Sequence, residues 1–227
     1  MRQVTDAFDG SSRASTLLVL LPPAEARIED LQAQGFVLSV RRGGIRADIV
    51  LAELTYDHLM ARTAVSTLHE QVVLPARADG YRDIWLAGIS LGAFHALHYA
   101  GEHARHVSGL HLISPYPGTA DVLAEITAAG GPMAWADTPS SGQADERNWW
   151  RWLCGQARAA QWPTPVYLST GTEDRFRDGQ RMLAGLLPAS NVHWVPGGHA
   201  WPAWQAMWAH WLRAGPLAAL GTHPAGR

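Results

Sequence analysis

The sequence has a single cysteine and no lysine, and it lacks any long apolar run. With only Cys154 present, no intramolecular disulfide can form, which fits a protein of a reducing compartment. All 18 basic residues are arginine, and against 20 acidic residues they give a formal net charge of −2. This balance argues against nucleic acid or an anionic membrane as a partner. The first apolar run, residues 17–21, is too short for a signal peptide or a membrane span, so we expect a cytoplasmic protein.

What is present is the composition of a folded domain that is rich in tryptophan. Hydrophobic residues make up 47% of the 227 residues, charged residues make up 17%, and there are 11 tryptophans. These values exclude a disordered chain and suffice for one ordinary domain with a buried core. We expect residues 1–215 to form this domain, and the small, Gly/Pro-bearing residues 216–227 to form a flexible tail.

Short apolar runs alternate with longer amphipathic segments, a pattern typical of an α/β fold with a mostly parallel, twisted sheet. About six strands are predicted, near residues 16–21, 48–52, 84–88, 111–114, 166–170 and 192–195. Helices are expected at about 25–42, 58–73, 90–102, 176–187 and 201–213, and right-handed crossovers would place them on both faces of the sheet. Residues 117–161 contain two short helix candidates around a Gly/Pro/Ser-rich joint and are predicted to form a short lid.

Residues 88–92 read Gly-Ile-Ser-Leu-Gly, which matches the pattern G-x-S-x-G at the junction of a strand and a helix. The pattern alone is weak, but a sharp turn at such a junction would lift Ser90 out of the sheet as a nucleophile. The helix N-terminus also offers free N–H groups where an oxyanion would form. In the alternative interpretation, Ser90 only caps the helix.

A serine nucleophile needs a general base and an acid that orients the base. Reactive groups in an open α/β sheet lie beyond the carboxyl ends of the strands, which selects His199 among the 11 histidines. Asp174, which follows the fifth predicted strand, is the expected acid, with Glu173 and Asp121 as alternatives. Asp174 could instead serve only as a cap for the helix that follows it.

Three motifs together resemble the α/β-hydrolase superfamily: GISLG after one strand, GTEDRF after a later one and PGGHAW after the last. The resemblance covers about residues 16–213 and implies a compact hydrolase with the chain order Ser, Asp, His. It also implies that the sheet follows the family's own strand order, beginning at the family's third strand. Because only 15 residues precede the first clear strand, the family's first antiparallel hairpin is missing or reduced to one edge strand.

The resemblance further implies an oxyanion hole with two backbone donors. The first is the N–H of Leu91, and the second should come from the loop after the first strand, where many relatives have His-Gly. This chain has Pro22 and Pro23 at that point, and proline has no N–H. Ala24 is therefore the candidate for the second donor.

Histidines and aromatic residues suggest two further kinds of site. Five histidines are candidates for a metal cluster: His95, His98, His103, His106 and His111. The sequence has no HExxH motif, no acidic partner at ligand spacing and no cysteine pair, so we expect no metal. The tryptophans at 201, 204, 208 and 211 form one helical stripe that is expected to pack on the sheet. The predicted substrate-pocket residues lie near the carboxyl edge or in the lid; they are Tyr56, Tyr116, Trp150 and Trp201.

Together these features predict a serine hydrolase that cleaves an ester of a hydrophobic acyl or aryl group through an acyl-enzyme, without a cofactor. The first alternative is a thioesterase for acyl groups on coenzyme A or a carrier protein, because Arg147, Arg151 and Arg158 could form a basic patch. The second is a non-catalytic binding protein with a hydrolase-like fold. The expected partner is a small hydrophobic ester or thioester. We expect no nucleic acid and no stable membrane insertion, and the sequence leaves a homodimer open.

Overall fold

The computed structural model describes residues 1–9, 12–139, 142 and 145–221. Within these residues the chain forms one sheet of seven strands, and all neighbouring strands are parallel except the first pair. The strands are β1 Arg2–Asp6, β2 Thr16–Leu21, β3 Asp48–Glu53, β4 Asp83–Ile89, β5 Gly109–Ile113, β6 Val166–Gly171 and β7 Val192–Val195. They lie side by side in the order β1-β3-β2-β4-β5-β6-β7.

Strand β1 was not predicted from the sequence. It brings the number of strands to seven, where about six were predicted. It pairs antiparallel with β3, so that Arg2 lies opposite Glu53. Most of its residues are exposed, and it therefore lacks the apolar run by which the other strands were recognised. It is the single edge strand that the resemblance allowed for, and the other six strands follow the order that the resemblance implied.

Helices cover both faces of the sheet. They are α1 Ile28–Ala33, α2 Phe36–Arg42, α3 Tyr56–Met60, α4 Ala64–Leu68, α5 Leu74–Ala78, α6 Leu91–His103, α7 Ala120–Ala128, α8 Pro132–Ala136, α9 Glu146–Ala159, α10 Arg177–Ala184 and α11 Trp201–Ala214. A π-helical turn, His69–Val73, joins α4 to α5, and short 3-10 turns lie at Ala104–His106, Ala189–Asn191 and Pro216–Leu220. In the described part of the chain, no helix has both the length and the apolar character needed to cross a bilayer.

The alternation of side chains along β2 divides the core into two parts. Leu17, Val19 and Leu21 point to the face that is covered by α4 to α10, whereas Leu18 and Leu20 point to the face covered by α1, α2 and α11. All five side chains are buried. A central parallel strand with helices on both faces is expected to be apolar throughout, as this one is.

Two predicted helices are broken in the structure. The helix expected at 25–42 divides at Gly35, whose φ of 79° is left-handed and accessible to glycine without strain. The helix expected at 58–73 becomes α3, α4 and the π-helical turn, with Arg62 left-handed between the first two. The apolar periodicity was correct, but it did not show where the backbone leaves the helical region.

The described residues of the segment predicted as a lid form three helices, α7, α8 and α9, where two were expected. Helix α9 packs closely on α6, since a Cβ on Gly101 would lie 3.1 Å from the Cβ of Trp149. Trp149 and Trp150 are fully buried and stack on each other with ring centroids 4.9 Å apart. Residues 140, 141, 143 and 144 of the predicted joint lie outside the described residues. The role of the segment as a lid stays a prediction.

The first part of the predicted tail contains the 3-10 turn Pro216–Leu220, and the flexibility of the tail stays a prediction. Leu217 in the 3-10 turn is fully buried in the second core, and the N–H of Arg46 donates to the carbonyl oxygen of Leu220 at 3.0 Å. This leucine supplies the apolar anchor that the composition-based argument overlooked. Residues 222–227 lie outside the described residues.

Candidate active site

Ser90 occupies a sharp turn between β4 and α6. Its φ of 54° lies in the left-handed region, which costs a non-glycine residue of order 1–3 kcal/mol and is typical of functional sites. Two neighbouring glycines make the turn possible: a Cβ on Gly88 would lie 2.3 Å from the backbone of Gly92, and one on Gly92 would lie 2.2 Å from the carbonyl oxygen of Leu21. The backbone segments around Ser90 are therefore packed more closely than a residue larger than glycine at position 88 or 92 would allow.

His199 lies in the loop between β7 and α11, with its side chain directed at Ser90. The distance from its Nε2 to Oγ of Ser90 is 2.8 Å, and the distance from its Nδ1 to Oδ2 of Asp174 is 2.9 Å. A carboxylate can only accept, so the Nδ1–H of His199 donates to Asp174, and the Ser90 hydroxyl donates to Nε2. All three side chains are almost completely buried. The structure thus brings together the three residues predicted as nucleophile, base and acid.

The loops that carry Asp174 and His199 are fastened to each other by their backbones. A Cβ on Gly171 would lie 2.2 Å from the carbonyl oxygen of Gly197, so the two loops touch without side chains between them. The N–H of Glu173 also donates to the Gly197 oxygen, at 3.0 Å. Of the alternative acids, Glu173 and Asp121 are both exposed, and it is Asp174 that contacts His199.

The carboxylate of Asp174 is held in its charged form. Burial by itself raises the pKa of Asp174, but hydrogen bonds from His199 and from the N–H of Phe176 outweigh burial and bring the pKa below its usual value. The N–H of Phe176 donates to Oδ1 at 2.8 Å, so each carboxylate oxygen has a donor. Asp174 therefore also caps the turn before α10. The capping role that was the alternative interpretation is thus compatible with the proposed catalytic role.

Aromatic rings enclose His199 from two sides. The rings of Phe176 and Trp204 each stand nearly perpendicular to the imidazole, at centroid distances of 5.0 and 5.1 Å. The sequence argument proposed Trp201 here, but Trp201 contacts Trp204 and Phe36 and is one ring further away. The sequence could have indicated these two rings, because Phe176 lies two residues after Asp174 and Trp204 lies five residues after His199.

The other predicted pocket residues have different locations. Tyr116 lies beside the nucleophile, since its N–H donates to the carbonyl oxygen of Ser90 at 3.1 Å. Tyr56 is 61% exposed at the start of α3. The structure places Trp150 in the core instead of at a pocket, where its Nε1–H donates to the carbonyl oxygen of Pro117 at 3.1 Å. Adjacent residues on a helix point in different directions, but the covering helices here bury both Trp149 and Trp150.

The loop after β2 lies directly against the turn that holds Ser90. Besides the contact with Leu21, a Cβ on Gly92 would lie 2.7 Å from the carbonyl oxygen of Pro22. Among the described residues, the backbone N–H groups of Leu91 and Ala24 have no backbone acceptor. The two predicted oxyanion donors are thus available on neighbouring segments, and their role stays a prediction.

Two depressions flank α3. The first, which we call the Tyr56 groove, has a volume of about 480 Å³ and is lined by Pro23, Ala24, Leu54 and Tyr56 among others. The second, the His98 pocket, has about 330 Å³ and is lined by Leu59, Val65, Phe94, His98 and Glu146 among others. Phe94, which lines the second, lies one helical turn after Ser90, since its N–H donates to the carbonyl oxygen of Ser90 at 3.1 Å. Both volumes suit a small molecule.

The three arginines of the proposed basic patch are engaged elsewhere. Arg147 pairs with Glu125 and Asp145, and Arg158 pairs with Asp137 at 2.8 Å. The guanidinium of Arg151 donates to the carbonyl oxygen of Ala136 at 2.7 Å and lies 4.4 Å from the ring centroid of Trp135. These contacts tie the helices of segment 117–161 together.

Solved structures of similar fold were found for the chain, whereas no protein-family model matches it and no curated protein matches it significantly. A ferulic acid esterase aligns with a TM-score of 0.59 at 14% identity, over 96% of this chain and 98% of that one. An α/β hydrolase from a lagoon-sediment metagenome aligns with a TM-score of 0.58 at 18% identity, over 93% and 94%. A monoacylglycerol lipase of Paleococcus ferrophilus aligns with 0.54 at 12%, over 97% and 99%. The chain has the α/β-hydrolase fold.

Proposed function

We propose that the protein is a serine hydrolase that cleaves a carboxylic ester with a hydrophobic acyl or aryl group. The observation that carries this proposal is the continuous hydrogen-bond chain from Ser90 through His199 to Asp174, with links of 2.8 and 2.9 Å. Similarity to a ferulic acid esterase and a monoacylglycerol lipase supports the same reaction class at the level of the fold.

In the first half of the proposed reaction, Nε2 of His199 takes the hydroxyl proton while Oγ of Ser90 attacks the ester carbonyl carbon. The carbonyl electron pair moves to oxygen and forms an oxyanion. When the pair returns, the bond to the leaving alcohol breaks, and His199 gives its proton to the alkoxide. In the second half, His199 takes a proton from water while the hydroxide attacks the acyl carbon and forms a second oxyanion. When this oxyanion collapses, the bond from the acyl carbon to Oγ of Ser90 breaks, His199 returns its proton to Oγ, and the carboxylic acid leaves.

The charges that develop in this sequence have partners close by. Asp174, kept ionised by its two donors, stabilises the imidazolium of His199. The N–H groups of Leu91 and Ala24 are the proposed oxyanion donors, and such a donor contributes about 3–4 kcal/mol to the transition state in a well-studied protease. Because Leu91 is the first residue of α6, the positive end of the helix adds to this stabilisation.

The surroundings of Ser90 favour an uncharged apolar group over a nucleotide-bearing thioester. Phe94, Tyr116 and Phe176 form a continuous row of rings with centroid distances of 5.4 and 5.3 Å. The arginines that were candidates for binding coenzyme A are occupied by acidic or backbone partners in segment 117–161. The ester reading is therefore supported better than the thioesterase alternative.

The test combines labelling with kinetics. A fluorophosphonate probe should label wild-type protein on the peptide that contains Ser90, as identified by mass spectrometry. Ser90→Ala should abolish labelling and lower ester hydrolysis at least roughly 10³-fold. Ser39→Ala is the control, since this half-buried hydroxyl donates only within its own helix, to the carbonyl oxygen of Phe36. Labelling that survives Ser90→Ala would refute the proposal.

A substrate panel distinguishes the alternatives. p-Nitrophenyl esters of graded acyl length and the matching acyl thioesters should show higher kcat/KM for the esters. Preference for coenzyme A thioesters would replace the ester proposal with the thioesterase one. Absence of both labelling and turnover would instead favour a binding protein that retains the hydrolase fold.

A further inference from the structure

The fold assembles a group of three histidines far from Ser90. His69 begins the π-helical turn, His103 ends α6 and His106 ends the following 3-10 turn. One ring nitrogen from each lies within 4.8 Å of the other two, and all three side chains are half-buried. Only His103 and His106 are close in sequence, so the spacing of histidines along the chain could not reveal the group.

We propose that His69, His103 and His106 bind a late first-row divalent metal ion such as Zn²⁺, with water as the fourth ligand. Neutral imidazole is a preferred ligand for these ions, and three histidines with one open position form a common tetrahedral site. Nitrogens bonded to zinc at about 2.0–2.1 Å in tetrahedral geometry lie about 3.3 Å apart. The rings of His69 and His103 are stacked in parallel with centroids 4.1 Å apart, so the half-buried His103 and His106 have to rotate to bring their nitrogens to that distance from His69.

A second contact supports this assignment, because it fixes one ligand in a suitable orientation. Nδ1 of His69 is hydrogen-bonded to the hydroxyl oxygen of Tyr99 at 2.8 Å, and Tyr99 is fully buried in α6. Metal-binding histidines usually engage their second nitrogen in such a contact, which fixes the ring and directs the other nitrogen to the ion. Nε2 of His69 is thereby left to bind the ion.

The backbone around His106 is also fixed. The guanidinium of Arg77 donates to the carbonyl oxygen of His106 from Nε and Nη2, at 3.2 and 2.8 Å. The Arg105 side chain donates to Nε2 of His106 at 3.2 Å, and because Arg105 is exposed it can turn into solvent when the ion binds. A π-helical turn, which is rare and occurs often at functional sites, presents His69 to the other two rings.

A bound metal ion would cross-link three segments of the chain at a place that is separate from the proposed hydrolytic site. Ser90 precedes the 13-residue helix α6 and His103 ends it, so the two sites lie about 20 Å apart at 1.5 Å per residue. Metal binding should therefore stabilise the fold and leave the hydrolysis of small esters unchanged.

Isothermal titration of chelator-treated protein with Zn²⁺ tests the site. We expect one ion per chain, and a Kd raised at least roughly 100-fold by His103→Ala or His106→Ala. Tyr99→Phe should raise the Kd roughly 10- to 100-fold, because it removes the group that orients His69. His210→Ala is the matched control: it breaks a stacked pair with His193, at 3.4 Å between centroids, that has no third partner among the described histidines.

Two further measurements decide between this site and weak surface chelation. Co²⁺ bound in the wild type should give the intense visible bands of a tetrahedral ion, and His106→Ala should abolish them. Melting in EDTA checks that each variant folds, and because His106 is half-buried its replacement is expected to be tolerated. Zn²⁺ affinity unchanged in both His103→Ala and His106→Ala, or lost equally in His210→Ala, would overturn the proposal.

Discussion

Two buried histidines and a half-buried one should make the fold sensitive to mild acid, and His111 in β5 is the clearest case. Its side chain is fully buried, and neither ring nitrogen has a hydrogen-bond partner among the described residues. Burial lowers the pKa of His111 from 6.5 to about 3. His95 and His98 on α6 are similar: burial lowers the pKa of His95 to about 3 and that of His98 to about 4.

The sign of the effect follows from which state binds the proton first. Each histidine takes up a proton near pH 6.5 in the unfolded chain, whereas in the folded protein it stays neutral until the lower pKa is reached. Stability is therefore independent of these groups above pH 6.5 and falls as the pH drops below it. Between pH 7 and pH 5 the linkage relation gives about 2 kcal/mol for one such histidine. His95 and His98 act in the same direction, and one such contribution is already a sizeable part of the usual 5–15 kcal/mol.

Urea unfolding of His111→Leu at pH 7 and pH 5 checks this value. Leucine is close to histidine in volume and has no polar nitrogen, so the variant should lose about 2 kcal/mol less than the wild type between the two pH values. His193→Leu is the control, because this half-buried ring at the sheet edge is less desolvated and should change the pH dependence less. If His111→Leu loses as much stability as the wild type, His111 does not contribute through proton linkage.

Three other substitutions test the site and its supports. Gly92→Ala should destabilise the fold strongly, since its Cβ would lie 2.2 Å from the carbonyl oxygen of Leu21. Gly155→Ala is the control, because a Cβ there would lie in open space. Equal midpoints of urea unfolding for the two variants would contradict this prediction. Asp174→Asn should keep the fold but lower kcat on an active ester roughly 10³–10⁴-fold, and a loss under about tenfold would contradict its proposed role. Trp150→Phe leaves the Pro117 carbonyl oxygen without its donor and should lower the unfolding free energy by about 1–3 kcal/mol, against no comparable loss for the exposed Trp194→Phe.

The sequence was most informative where an apolar run met a glycine-flanked polar residue. Strand β7 was predicted with its observed bounds, and Ser90, Asp174 and His199 were each identified by their position after a strand. These residues are recognisable because parallel strands bring their carboxyl ends to one edge of the sheet. The proximity of these three residues was therefore predictable from their order along the chain, before any distance was known, and their catalytic roles stay a prediction.

What the sequence did not show depends on contacts between distant segments. Strand β1 is polar and is held by pairing with β3, and Leu217 is buried only because the chain returns to the second core. Trp150 was assigned to a pocket because neighbouring residues on a helix point in different directions and cannot all face one core, yet the packing of α9 on α6 buries it. The contact of His69 with His103 and His106 likewise follows from the path of the chain and from no local pattern.

The precision of the proposed site has to be explained, because two of its three residues lie on loops, which are usually the most mobile parts of a fold. His199 is restricted by its contacts: Asp174 holds Nδ1, and Phe176 and Trp204 stand perpendicular to the imidazole. The loops themselves are fixed by direct backbone contact between Gly171 and Gly197. Rotation of the imidazole would lose a charge-assisted hydrogen bond and both aromatic contacts together. The ring is therefore oriented towards Ser90 before a substrate binds, which is the preorganisation that general-base catalysis requires.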